Sequence, residues 1–160
     1  MTSKGKIRTD YWVAAILLFA MAAIAFVNVL SRYLFHFSFA ATEEITINLF
    51  VWLTVVGSGI AFERGGHLGM VTFVNLMPAG VKKTAVIFSA LLNTGLFIVV
   101  NIFIIQAIYD EIVLFHATSG ALGIPVWIYY LGVPVLSVFV FRGIYRRTTV
   151  SLRELAGVGK

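Results

Sequence analysis

EEITINLFVWLTVVGSGIAFERGGHLGMVTFVNLMP, Glu43 to Pro78, is the stretch that decides the fold. It opens on paired carboxylates and runs uncharged and apolar from Ile45 to Phe62. It then breaks at Glu63-Arg64-Gly65-Gly66-His67 and resumes as a shorter apolar segment ended by Pro78. About 20 residues rising 1.5 Å each cross a hydrocarbon core of roughly 30 Å, so the first run can span a bilayer. The second is too short and begins polar. A spanning helix followed by an amphipathic segment at the membrane surface, over about 67–78, is the simplest physical reading.

Outward from this stretch the chain repeats the pattern. Apolar residues make up 60% of it and charged residues 12%, where soluble domains carry about 45–50% and 25%. The charges cluster between long uncharged runs. This predicts an all-α integral membrane protein, a single membrane domain over 1–160, with spans at about 11–31, 44–62, 84–109 and 125–142. Basic residues ahead of the first run also suit a signal peptide, but that run exceeds a 7–15-residue h-region, so an uncleaved first span is expected. It is rich in alanine, which lets helices approach closely in lipid. Pro125 suits a first helical turn, and Pro134 within the fourth run predicts a kink.

Orientation follows from the basic residues. Lys4, Lys6 and Arg8 precede span 1; Arg64, Lys82 and Lys83 lie between spans 2 and 3; Arg142, Arg146, Arg147, Arg153 and Lys160 follow span 4. Only Arg32 falls on the other side. Lys- and Arg-rich loops stay in the cytoplasm, so both termini are expected there. The net charge of +5 is thus a topological signal, and no soluble module is present to bind nucleic acid.

No enzyme constellation emerges. With no Cys, thiolate chemistry is excluded. His67 lies on the inner side and His36 and His116 on the outer, so the three histidines cannot form one cluster; ordinary interfacial histidines are the simpler reading than haem or metal ligands. Glu43 and Glu44 open span 2 at the outer edge, where acids favour the helix dipole, with Thr42 as candidate N-cap. No acid lies inside any span, which argues against a self-sufficient proton-coupled transporter. Glu44, Asn48 and Trp52 share one stripe of span 2 at about 100° per residue. Polar groups in lipid need partners, so this stripe should face protein. Arg32 shares the outer side with Glu43 and Glu44 and is a candidate ion-pair partner. In span 3, Asn101 shares a stripe with Ala90, Thr94 and Phe97, suited to interhelical hydrogen bonding.

These residues, taken in order, resemble the small membrane subunit of tripartite ATP-independent periplasmic (TRAP) transporters, the DctQ-like family. The likeness rests on Glu43-Glu44, Trp52, Gly57, Arg64-x-x-His67-Leu68, Pro78 and Pro125-x-Trp127-x-x-Tyr130. Val71 and Thr72 stand where many members carry an acid. The resemblance implies a scaffold that braces a large elevator-type permease subunit during sodium-coupled, symport-type uptake of an organic acid. A periplasmic substrate-binding protein would deliver the acid. It implies no cofactor here, the sodium sites belonging to the large subunit, and contacts with membrane lipids. Arg32, Glu43, Glu44, Asn48, Trp52, Gly57, Arg64, His67, Trp127 and Tyr130 are the candidate interface or structural residues. Competing classes are the membrane anchor of a redox complex and a stand-alone small four-helix transporter.

Because the chain has no native Cys, single-Cys variants test the topology cleanly. A Cys placed after Arg142 should react with a membrane-impermeant thiol reagent only in inverted membrane vesicles; labelling from the periplasm of intact cells would overturn the orientation.

Overall fold

The computed structural model describes residues 9–36, 39–64 and 79–157. The interfacial segment expected over 67–78, with His67, lies outside them. Among the described residues, four helices are long and apolar enough to cross a membrane. They are α1 (Thr9–Phe35), α2 (Ala40–Arg64), α3 (Ala79–Asp110) and α4 (Trp127–Gly157). A π-helical turn, Glu111–Phe115, extends α3.

Local chemistry explains the ends. No Gly or Pro interrupts Thr9–Phe35, and α1 stops where His36 takes a left-handed φ of 54°. The turn after α3 stops the same way: His116 has φ 49°, and its N–H donates to the Glu111 carbonyl at 2.8 Å. Histidine is among the few non-glycine residues enriched in this conformation, which commonly closes a helix. The connection to α2 folds back on α1, the Phe39 N–H donating to Asn28 Oδ1 at 3.2 Å. Since α2 begins at Ala40, Thr42 lies inside its first turn and not at the N-cap. Its hydroxyl donates backwards to the Phe39 carbonyl at 2.6 Å.

Helix α4 begins two residues after Pro125 and runs through Pro134 to Gly157. It therefore extends well past Arg142, where the apolar run ends. A helix continues beyond the hydrocarbon as long as nothing breaks it, and no Gly or Pro stands between Gly143 and Gly157.

The helices pack as a row. Helix α1 packs on α2, α2 on α4, and α4 on α3, which leaves α1 and α3 on opposite flanks. An edge-to-face contact of Phe62 with Phe97, centroids 6.0 Å apart, adds a touch between α2 and α3. Among the described residues, the buried apolar ones are Val56 of α2 and Val133, Val140 and Ile144 of α4. Glycine sets how close these two helices come. A methyl group at Gly59 would stand 2.7 Å from the Phe139 carbonyl oxygen, and one at Gly143 would strike the Gly59 backbone. A methyl at Gly57 meets nothing within 4 Å.

Overpacking a tight contact costs about 1–3 kcal/mol. Gly59→Ala should lower the unfolding free energy in detergent by that amount, whereas Gly57→Ala should leave it within about 0.5 kcal/mol. Equal effects from the two would refute this placement of the contact.

Candidate functional site

Polar groups join the row together at several levels, and α2 carries most of them. At one end of the bundle, the Glu44 side chain faces the Ser119 hydroxyl and the Ala121 backbone in the α3–α4 connection. Ser119 is buried and accepts the Leu122 N–H at 3.0 Å, while its own N–H reaches the Ile124 carbonyl at 2.7 Å. An isolated antiparallel bridge, Thr118 with Pro125, closes the same connection. The buried Tyr129 hydroxyl stands beside both Glu44 and Ser119 without hydrogen-bond geometry to either. Glu44 thus lies against the α3–α4 connection.

One level inward, the Trp52 indole donates its Nε1–H to the Tyr129 carbonyl of α4 at 2.9 Å. Pro134 has no N–H, so the carbonyl four residues back, at Tyr130, loses its helical donor, and the ring loosens that turn. The indole serves the neighbouring carbonyl of this loosened turn. Gly132 makes the approach possible: a methyl there would overlap the indole itself. Further in, Asn101 of α3 donates to Ser137 Oγ of α4 at 3.0 Å and to the Phe97 carbonyl at 2.7 Å. Ser137 is almost fully buried and donates to the Val133 carbonyl at 2.8 Å.

At the other end of the row, Arg64 donates from Nε to the Tyr11 hydroxyl at 2.8 Å, its guanidinium 5.2 Å from the ring centroid. Glu63 accepts from Arg146 at 3.0 Å. The start of α1 and the ends of α2 and α4 therefore meet at one end of the molecule. Partly exposed pairs of this kind are worth about 0–1 kcal/mol each, so their role is alignment more than stability.

The expected residues distribute unevenly over this frame. Trp52 and Glu44 bridge to α4 and its preceding connection. Asn48 bonds its own helix, donating to the Glu44 carbonyl at 2.9 Å. Glu43 is exposed in the first turn. The ion pair expected between Arg32 and Glu43 or Glu44 is not formed: Arg32 lies over the ring of Tyr33 at 5.7 Å, and Glu44 is engaged with the α3–α4 connection. Trp127 is half-buried and Tyr130 exposed in the first turn of α4. His36 and His116 are exposed at helix ends. Sequence reasoning missed Tyr11, Glu63, Ser119, Tyr129, Gly132, Ser137 and Arg146. Only Gly132 carried a local signal, a small residue two positions before an in-span proline.

Comparison with known proteins settles the family. The DctQ component of tripartite ATP-independent periplasmic transporters matches residues 11–151. The chain belongs to this family. It is 34% identical over 64 residues to the C4-dicarboxylate TRAP transporter small permease protein DctQ of Vibrio cholerae, a match covering 40% of this chain and 28% of that protein. It is 38% identical over 58 residues to a protein of Haemophilus influenzae described as a TRAP transporter small permease protein, covering 36% of each. A sialic acid TRAP transporter permease protein, SiaT, from another strain of that organism is 29% identical over 76 residues, 48% of this chain and 12% of SiaT. The matched stretches thus span about a third or less of these relatives. As a DctQ-family chain it is a transporter component, and the family is not one of enzymes.

The indole contact can be tested directly. Trp52→Phe removes one hydrogen bond between membrane helices, worth about 0.6–2 kcal/mol, and should destabilise the folded chain in detergent by that amount. Gly132→Ala should cost at least as much, through steric displacement of the indole. Unchanged stability in both variants would show that this contact does not hold α2 to α4.

Proposed function

We propose that this chain is the small membrane subunit of a TRAP-type secondary transporter, a fixed brace for a large elevator-type permease subunit. One observation supports the reading above others: every charged residue lies outside the four apolar runs. None occurs in 11–31, 45–62, 84–109 or 125–141, and the mid-span polar groups Trp52, Asn101 and Ser137 are engaged in holding helices together. A moving solute needs polar partners part-way across the bilayer. A row of helices that spends those partners on its own joints suits a scaffold. The flanks agree, since α1 and α3 present long apolar surfaces that include Phe19, Phe26, Leu91 and Phe103. The similarity to a stretch of the much longer SiaT permease also fits a small region that works beside a larger one.

In this reading the transported solute is an organic acid delivered by a periplasmic binding protein. Uptake is a sodium symport whose ion sites lie in the large subunit, and this chain holds no cofactor. The basic end of the row faces the cytoplasm of a bacterium, with both termini there, and the α3–α4 connection against Glu44 faces the periplasm. Arg32, Glu43, Trp127 and Tyr130 then lie on the periplasmic side, and His67 with the interfacial segment on the cytoplasmic side.

Affinity purification of the tagged chain from its native membrane should retain a large multi-span permease. Proteoliposomes holding both subunits and the binding protein should take up solute under a sodium gradient, and the chain alone should not. Solute uptake by the isolated chain would overturn the proposal.

A further inference from the structure

Where α2 ends against the last turns of α4 there is an open cavity of about 460 Å³, lined by Glu63, Tyr145, Arg146, Arg147, Val150 and Arg153 among others. Its volume lies within the roughly 300–1,000 Å³ usual for small-molecule sites. Three guanidinium groups face one carboxylate, and that carboxylate already accepts from Arg146 at 3.0 Å. The wall is therefore net positive, and Arg146, whose side chain is 47% exposed, is fixed by Glu63 while keeping further N–H donors open. Arg146 and Arg153 are seven residues apart, nearly one above the other on α4, and Arg147 flanks them. Tyr145, 73% exposed, marks the depth: aromatic residues gather where hydrocarbon meets headgroups. The apolar run of α4 ends at Phe141; at 1.5 Å per residue Arg146 and Arg147 follow about 8–9 Å further on, near headgroup level, and Arg153 about 18 Å on.

We propose that this cavity binds the phosphodiester of an acidic phospholipid. Arg147 and Arg153 contact the anion, and Arg146 acts as a donor positioned by Glu63. The guanidinium fork suits this ligand because it meets phosphate oxygens in pairs. A free phosphate shares the chemistry, but the Arg146 and Arg147 end of the cavity lies near headgroup level, where lipid supplies the group at far higher local concentration. The inference stands on the cavity and its charge and does not depend on the transport role.

Native mass spectrometry of the full chain, released from nanodiscs of phosphatidylcholine containing phosphatidylglycerol, tests it. Wild type should retain phosphatidylglycerol in preference to phosphatidylcholine. A basic residue near the surface contributes roughly fivefold in affinity, so Arg147→Gln with Arg153→Gln should reduce retention by roughly tenfold or more. If the double variant does not fold, each single variant carries the test with a loss of about fivefold. The lysine forms of both should recover part of the binding. Arg142→Gln makes the same charge change outside the cavity and should leave retention unaltered. Unchanged retention in the glutamine variants overturns the proposal, and so does an equal loss in Arg142→Gln, which would mean diffuse attraction only. Displacement of the lipid by excess inorganic phosphate would reassign the cavity to a free anion and likewise overturn it.

Discussion

Helices α2 and α4 meet backbone to backbone at Gly59 and Gly143, with no side chain between them. In lipid there is no hydrophobic force to press helices together, because the surrounding tails are as apolar as the side chains. Dispersion grows steeply as surfaces close, so a glycine pair that lets two backbones touch concentrates attraction at one level. Val56 and Val140 are sealed beside this contact. Trp52 can then reach the Tyr129 carbonyl, and Glu63 can reach Arg146. Each of these needs the helices at this spacing, and a wider one would strand the polar groups in hydrocarbon.

Polar satisfaction and close packing therefore reinforce each other along the row. The indole of Trp52 takes the Tyr129 carbonyl on α4, one residue before the carbonyl that Pro134 leaves without a helical donor, and Gly132 leaves room for the ring. On the other side of α4, Asn101 bonds Ser137 near mid-membrane. Helix α4 is thus held from both sides, while α1 and α3 are each held mainly from one.

The four spans and the grouping of basic residues were legible because membrane thickness sets segment length and charge cannot be hidden in lipid. The stripe of Glu44, Asn48 and Trp52 was legible from helical periodicity, and its need for a partner from the cost of bare polar groups. Which partner was not. Trp52 meets a residue 77 positions away, and nothing local in the sequence says that α2 chooses α4. The same limit hid Glu63 with Arg146 and Arg64 with Tyr11. Proximity in the outer loops suggested Arg32 for Glu44, yet the carboxylate turned to Ser119 and Ala121 in the α3–α4 connection. Gly57 was among the candidate residues, but helix rotation puts Gly59 at the contact instead, since a shift of two residues turns a helix by about 200°. The full length of α4 was not legible from its apolar run, because hydropathy measures what lipid tolerates and not where a helix stops.

The order of the row differs from the order of the chain, and that has a consequence for biogenesis. During synthesis α2 enters the membrane with its indole and amide groups in place, while α4 is still unmade. Until α4 arrives, α2 can lean only on α1 and on itself. The bond from Asn48 to the Glu44 carbonyl and the hydroxyl bonds of Thr46, Thr54 and Ser58 to carbonyls four residues earlier suit that interval. They let the helix wait in lipid with most of its polar atoms already occupied, keeping the indole N–H in reserve for the neighbour that comes last.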